Sequence, residues 1–183
     1  MGTIGKDFKY KVIKNFLTQD ELKLLLIYCE IKHRTNTSYF DFSTANHETY
    51  FYGDAIIESL MLSKKKLMEK ETGKKLFPSY TFWRTYTKHA FLEKHTDRPS
   101  CEISATVFIG GDSEWPIYMD GKPIYLEKGD AAIYLGSEVE HWRDEFFGDC
   151  QFQAFLHYVD ANGKYKDYYM DKRQFWTCPP NED

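Results

Sequence analysis

Apolar residues recur at helical spacing in two stretches near the start of the chain. The first lies within residues 15–31, behind Thr18 and Glu21, whose spacing is that of a capping box. The second begins after Asp54, a favourable N-cap residue, and ends before Gly73. We predict a helix in each stretch, with the three successive lysines at 64–66 on the solvated face of the second. The first helix would bury one apolar face, made of Leu22, Leu25, Leu26 and Cys29.

From Pro78 onward the pattern changes to short runs rich in β-branched and aromatic residues, separated by Gly, Asp and Pro. Asp120-Gly121 stands between two Pro-Ile-Tyr runs, which indicates a tight hairpin, and Lys-Gly-Asp at 128–130 predicts another turn. Five or more strands with no helical pattern between them are typical of an antiparallel sandwich or barrel.

The order of these elements predicts one α+β, mainly β domain over residues 1–183. Its helical part would cover about 1–76, its β core about 77–163 and a C-terminal tail 164–183. Residues 33–53 are polar and aromatic with no clear period, so we expect a long loop or irregular edge strands there. Loops of this kind often line a site, and we expect specificity to reside in 33–53 and in the tail.

Composition narrows the classes of function. The formal net charge of −4 makes a nucleic-acid partner improbable, since phosphate binding calls for a basic excess. The four cysteines form no C-x-x-C pair, which favours reduced thiols over a disulfide framework or a zinc cluster. No apolar run has the length of a membrane span or the form of a signal peptide. We therefore expect a cytoplasmic protein without a membrane partner.

Candidate chemistry begins at His95 and Asp97, which stand one residue apart at the start of a β-like run. In a strand, residues i and i+2 point to the same face, so an imidazole and a carboxylate could meet one ion. His141 follows a later strand and is the best third ligand. Two histidines and one carboxylate leave an open face, as in non-haem Fe(II) oxygenases, whereas structural zinc usually has four ligands. The other interpretation is a polar turn, with His141 an ordinary strand-end residue.

Residues 79–163 resemble the Fe(II)- and 2-oxoglutarate-dependent oxygenases, specifically the prolyl-4-hydroxylase-like branch and a little-characterised microbial and viral subgroup of it. The resemblance is carried by Arg84-Thr85-Tyr86 before His95-Thr96-Asp97, by Lys-Gly-Asp at 128–130 and by the distal His141, with Phe-Leu-His-Tyr at 155–158 as a closing strand. It implies a double-stranded β-helix, or jelly roll, with N-terminal helices packed against it.

The resemblance also implies roles for individual residues. His95, Asp97 and His141 would bind Fe(II), and Tyr86 would hydrogen-bond the distal carboxylate of 2-oxoglutarate. The family usually places a lysine or arginine nine to eleven residues after the distal histidine, but those positions here are Cys, Gln and Phe at 150–152.

The carboxylate needs a cation, and an arginine fork fits it best. Arg143, two residues after His141, is our first candidate and Arg98 the second, with hydrogen bonds added by Gln151 and Gln153. Asp130 and Trp142 would be supports.

The function implied is hydroxylation of an unidentified substrate, either peptidyl proline or a small molecule. It would use Fe(II), 2-oxoglutarate and O₂, with ascorbate as an optional reductant, and would give succinate and CO₂. The alternatives are a catalytically silent ligand- or peptide-binding module on the same barrel, and a cupin-type metal enzyme that does not use 2-oxoglutarate.

Overall fold

The computed structural model describes residues 8–35 and 48–178. Residues 36–47, which belong to the loop predicted at 33–53, lie outside the described residues. The last part of that predicted loop forms a strand, Glu48–Tyr52. Two short 3-10 helices cover Pro99–Cys101 and Lys166–Lys172. The other elements are β1 (Tyr10–Ile13), α1 (Gln19–Thr35), β2 (Glu48–Tyr52), α2 (Ala55–Thr72), β3 (Leu76–Thr87), β4 (Leu92–His95), β5 (Ile103–Gly111), β6 (Ile117–Met119), β7 (Lys122–Ile124), β8 (Ala131–Tyr134), β9 (His141–Arg143) and β10 (Cys150–Asp160).

Both predicted helices form, and their ends are fixed by the residues that predict them. The Thr18 backbone N–H donates to Glu21 Oε2 at 2.7 Å, and the Glu21 N–H donates to Thr18 Oγ1 at 3.2 Å, which completes a capping box. Asp54 Oδ1 accepts from the Ile56 N–H at 3.1 Å, and Gly73 ends α2 with a left-handed φ of 70°. Neither helix is apolar enough over its length to cross a membrane.

The prediction that the lysines at 64–66 lie on the solvated face of α2 is wrong for Lys64. Lys64 is buried because it lies on the inner face of the helix, in line with Ile57, Met61 and Met68. Its Nζ pairs with Glu21 Oε2 at 2.6 Å and lies 5.5 Å from the centre of the Phe16 ring. A carboxylate and an aromatic face therefore compensate the buried charge.

Two antiparallel sheets make up the β part, as predicted. The larger has the order β1-β8-β5-β10-β3-β2 and the smaller the order β4-β9-β6-β7. One face of the larger sheet packs on the helices and forms the main core, and residues from its other face line a cavity together with residues of the smaller sheet. The predicted turn at Asp120-Gly121 joins β6 to β7, with positive φ at both residues.

The C-terminal segment is anchored by a buried ion pair. Arg173 Nη2 donates to Glu58 Oε1 at 2.6 Å and to the Ser79 carbonyl at 3.2 Å. The second carboxylate oxygen of Glu58 accepts from the Thr177 N–H at 2.7 Å. Both charged side chains are almost completely buried, so water does not solvate them. Each is the counterion that offsets the charge of the other.

We expect Glu58→Gln to lower the free energy of unfolding by about 3–5 kcal/mol, because it leaves a buried guanidinium without its counterion. Chemical denaturation measures the loss. Lys65→Met, which breaks the partly exposed Lys65–Glu69 pair on the same helix, should cost less than about 1 kcal/mol. Equal losses in the two variants would contradict this account of the C-terminal segment.

Candidate metal centre and its cavity

Three of the residues singled out in the sequence meet at the pairing of β4 with β9. His95 and His141 lie directly opposite each other in the register of these two strands. Asp97 follows two residues after His95, and its backbone N–H donates to the Gly136 carbonyl at 2.8 Å. The pairing of distant strands thus brings together side chains that are far apart in the chain.

The three side chains converge on one point. Asp97 Oδ1 lies 3.4 Å from His95 Nε2 and 3.5 Å from His141 Nε2. All three potential ligand atoms lie within 4.8 Å of one another, which is close enough for one metal ion to contact them all. The donor set of two imidazoles and one carboxylate on one side of an ion is that of non-haem Fe(II) centres.

Both imidazoles are oriented by the backbone. His95 Nδ1 lies 2.7 Å from the Glu93 carbonyl, and His141 Nδ1 lies 2.8 Å from the Val139 carbonyl. A carbonyl only accepts hydrogen bonds, so each Nδ1 carries the proton and each Nε2 keeps its lone pair toward the centre. This is the arrangement in which histidine ligands are usually held.

Asp97 supplies the negative charge. Burial opposes its ionisation, but the contacts with His141 and His95 prevail and hold the pKa of this carboxyl below its ordinary value. The contact with Asp97 in turn raises the pKa of His95. The other oxygen, Oδ2, is buried and has no hydrogen-bond partner among the described residues. The centre therefore offers a carboxylate whose charge calls for a cation.

About 440 Å³ of empty space, part of it open to solvent, lies beside the centre. The Arg84 guanidinium lies in its wall, 5.5–5.9 Å from the centres of three aromatic rings, those of Tyr50, Phe82 and Phe155. Aromatic side chains dominate the remaining wall: Tyr80, Tyr86 and Tyr134.

Arg143 is a buried cation close to this cavity. It is 3% exposed, and its Nη1 donates to the Trp115 carbonyl at 2.6 Å. Within the described ranges it forms no ion pair, and its Nε has no hydrogen-bond partner. Burial lowers the pKa of Arg143 to about 10, so the guanidinium is still charged at neutral pH. The face of the Trp115 ring, 4.6 Å from the guanidinium, compensates part of this buried charge. No counterion in the described chain does so, and an anionic ligand would complete the compensation.

Tyr86 contacts the same Trp115 ring that Arg143 contacts. Its ring is fully buried, lines the larger cavity and meets the Trp115 ring edge-on at 5.0 Å. Arg143 itself lines a smaller cavity of about 270 Å³, with Gln151 and Gln153. Gln153 Nε2 donates to Thr106 Oγ1 at 2.7 Å, whereas Gln151 Oε1 is buried without a hydrogen-bond partner among the described residues. Polar side chains thus lie beside the buried Arg143 guanidinium.

Arg98, the second candidate cation, is already paired with a carboxylate of the chain. Arg98 makes two hydrogen bonds with Asp171, at 3.1 and 2.7 Å, and lies 4.5 Å from the centre of the Tyr80 ring. It is therefore engaged with the C-terminal segment, and neither cavity is lined by it.

Asp130 and Trp142, the two predicted supporting residues, do not line the cavity. Asp130 is buried and accepts from the backbone of Asn15 and from Lys14 Nζ, which ties the segment after β1 to the turn before β8. The Trp142 ring stacks on Tyr118 at 5.0 Å and so holds β9 on β6.

Sequence reasoning assigned no site role to several residues that line the larger cavity, among them Tyr80, Cys101 and His157. Strand alternation could have found His157, since it shares a face of β10 with Gln153 and Phe155. Tyr80 likewise shares a face of β3 with Tyr86. Cys101 is the last residue of a 3-10 helix, and no local pattern indicates its direction.

No family model matches the chain, and no curated protein matches it in sequence. Solved structures do. A prolyl-4-hydroxylase from Pseudomonas putida matches with a TM-score of 0.64 at 13% identity, over 83% of this chain and 92% of that one. The viral collagen prolyl hydroxylase of Paramecium Bursaria Chlorella virus-1 matches at 0.62 and 12%, over 82% and 95%.

A third match is the non-haem α-ketoglutarate-dependent epimerase SnoN from nogalamycin biosynthesis. Its TM-score is 0.71 at 12% identity, over 96% of this chain and 88% of that one. Identities this low show the fold alone, and that fold is common to enzymes of different reaction outcome. The chain therefore has the fold of the prolyl-4-hydroxylases and other non-haem 2-oxoglutarate-dependent oxygenases.

Proposed function

We propose that this chain is an Fe(II)- and 2-oxoglutarate-dependent dioxygenase that hydroxylates its substrate on a double-stranded β-helix. The observation that carries the proposal is the convergence of His95, Asp97 and His141 with both Nε2 atoms turned inward. Convergence alone would fit several divalent metals. Combined with the fold, it favours iron and 2-oxoglutarate.

The three side chains would hold Fe(II), with Asp97 offsetting part of the charge of the ion. Fe(II) and 2-oxoglutarate, when bound, supply the oxidation of a substrate C–H bond by O₂, coupled to decarboxylation of 2-oxoglutarate to succinate and CO₂. The chain keeps the imidazoles in one tautomer through the carbonyls of Glu93 and Val139. Its aromatic cavity wall excludes water from the reacting centre.

Arg143 and Tyr86 would hold the distal carboxylate of 2-oxoglutarate. The guanidinium fits that role because it is buried and unpaired by any carboxylate of the described chain, with one N–H left without an acceptor. Gln151 stands near the position where the family carries its basic residue, and its amide would add a hydrogen bond rather than a charge. The cation would thus come from β9 instead of β10.

The substrate would be a small molecule or a prolyl side chain of a peptide. The cavity beside the centre would have to hold both 2-oxoglutarate and the reacting part of the substrate, which limits the part of the substrate that enters. The neighbours named above include two prolyl hydroxylases and an epimerase of a small-molecule pathway, so both classes stay open.

An anaerobic titration tests the proposal. Adding Fe(II) and then 2-oxoglutarate should produce the visible charge-transfer band of the chelate, and admitting air with ascorbate should produce succinate. His89→Ala is the matched control, because this exposed histidine pairs with Glu145 away from the centre. It should leave both results unchanged, whereas His141→Ala should remove both.

The alternatives give different results. A band without succinate, after screening of candidate substrates, would favour the silent binding module. Metal binding without any band would favour an enzyme that does not use 2-oxoglutarate. Either outcome would refute the proposed dioxygenase.

A further inference from the structure

A second group of metal-ligating side chains shares Asp97 with the centre described above. Asp97, Cys101 and His157 each place a ligand-capable atom within 4.8 Å of those of the other two. Cys101 is 2% and His157 4% exposed, so this group lies deeper in the protein than His95. The proposed dioxygenase uses neither Cys101 nor His157.

The two oxygens of Asp97 face different neighbours. Oδ1 is the atom near His95 and His141, whereas Oδ2 is buried and lacks a hydrogen-bond partner in the described chain. Gly136 borders Oδ2: a Cβ there would stand 2.5 Å from Oδ2 and 3.1 Å from Ser104 Oγ. Oδ2 therefore lies on the side of Ser104, the residue that contacts His157.

The neighbours of His157 leave one ring nitrogen available as a ligand. Ser104 Oγ donates its only proton to the Cys101 carbonyl at 3.1 Å, so it must accept from His157 Nδ1 at 2.8 Å. The Nε2 of His157 then carries the lone pair.

The Cys101 thiol completes the group. Its Sγ lies 2.9 Å from the Tyr80 hydroxyl, which can stabilise a thiolate by donating to it. Without a cation, burial raises the pKa of Cys101 to about 12, so the thiol keeps its proton. Thiolate, imidazole and carboxylate together suit Zn²⁺ and other borderline or soft dications better than they suit Mg²⁺ or Ca²⁺.

We propose that Asp97 Oδ2, Cys101 and His157 form a second site for a thiophilic dication of the Zn²⁺ class, next to the iron centre and joined to it through Asp97. Binding forms a metal–sulfur bond and releases the thiol proton to solvent. The site does not depend on the proposed dioxygenase activity, since its two other ligands take no part in it.

Co²⁺ added to metal-free protein under anaerobic, reducing conditions is the probe. A cobalt ion bound by Cys101 should give the near-ultraviolet thiolate-to-cobalt charge-transfer band, which imidazole and carboxylate ligands do not produce. Cys101→Ser should abolish the band. Cys150→Ser is the matched control and should keep it, because Cys150 lies on β10 outside the group.

Two further variants make the result decisive. His95→Ala should keep the band, because it removes a ligand of the first centre only, and losing the band there would mean that the thiolate binds at that centre instead. His157→Gln should weaken the cobalt affinity read from the band by more than about tenfold, and it serves as the test if Cys101→Ser fails to fold.

Three outcomes would overturn the second site: no band in the wild-type chain, a band that survives Cys101→Ser, or a band that disappears in His95→Ala. The Fe(II)–2-oxoglutarate band reports the first centre separately, so failure of one proposal is distinguishable from failure of the other.

Discussion

Asp97→Ala should abolish succinate formation and weaken Fe(II) binding by more than about 100-fold. Asp97 is the only carboxylate in the converging group of the described chain, and it is the residue that lies within 3.5 Å of both histidines. Losing even a hydrogen-bond partner of a metal ligand costs about 10–100-fold in affinity, so losing the ligand itself should cost more. Equilibrium dialysis of Fe(II) under argon and a succinate assay measure the two effects.

Asp97→Asn separates charge from shape. The amide keeps the size of the side chain and one oxygen, but it removes the negative charge that offsets the dication. We expect Asn to bind Fe(II) more weakly than the wild-type chain, with near-UV circular dichroism unchanged. Asp20→Ala, in the exposed first turn of α1, controls for the general loss of an acidic residue. Fe(II) binding by Asp97→Ala as tight as by Asp20→Ala would exclude His95, Asp97 and His141 as the iron site.

Features set by local chemistry could be predicted from the sequence. The capping box at Thr18, the cap at Asp54, the left-handed Gly73 and the tight turn at Asp120-Gly121 each depend on residues close in the chain. The structure contains all four. His95 and Asp97 converge as predicted, but strand alternation alone does not account for it, since β4 ends at His95 and Asp97 lies in the irregular segment after it.

Features set by contacts between distant residues could not be predicted. The buried Lys64 pairs with Glu21 of another helix, and Arg98 pairs with Asp171, which is far away in the sequence. Asp171 itself stands in a run of three residues with left-handed φ, at 170–172, that no glycine signals. The charge pattern alone gives no hint of either pairing.

The converging centre is an intermediate case. The choice of His141 as third ligand required the register of β4 on β9, which the sequence does not state, and the resemblance to a known family supplied it. The cavity residues Cys101 and His157 had no such guide. Alternation along β10 gives the direction of His157, but the fold alone brings Cys101, in a 3-10 helix, against Asp97.

Replacement of Arg143 by methionine should raise the KM for 2-oxoglutarate strongly and leave the fold intact. Removing one partner of a buried, hydrogen-bonded charge pair costs about 2–5 kcal/mol, which corresponds to roughly 30- to several-thousand-fold in affinity. Arg143→Lys keeps the positive charge but lacks the paired N–H donors of a guanidinium. The KM of this variant for 2-oxoglutarate should therefore fall between those of the wild-type chain and Arg143→Met. Arg98→Met should leave the KM unchanged, since Arg98 is paired with Asp171.

Stability distinguishes a ligand-binding role of Arg143 from a structural one. Without 2-oxoglutarate the guanidinium is buried with no counterion in the described chain, so a methionine of similar length should not lower the free energy of unfolding. With 2-oxoglutarate and a redox-inert metal, the wild-type chain should gain thermal stability and Arg143→Met should gain much less. An unstable Arg143→Met variant with an unchanged KM would assign the guanidinium to the hydrogen bond with Trp115, and the carboxylate to another residue.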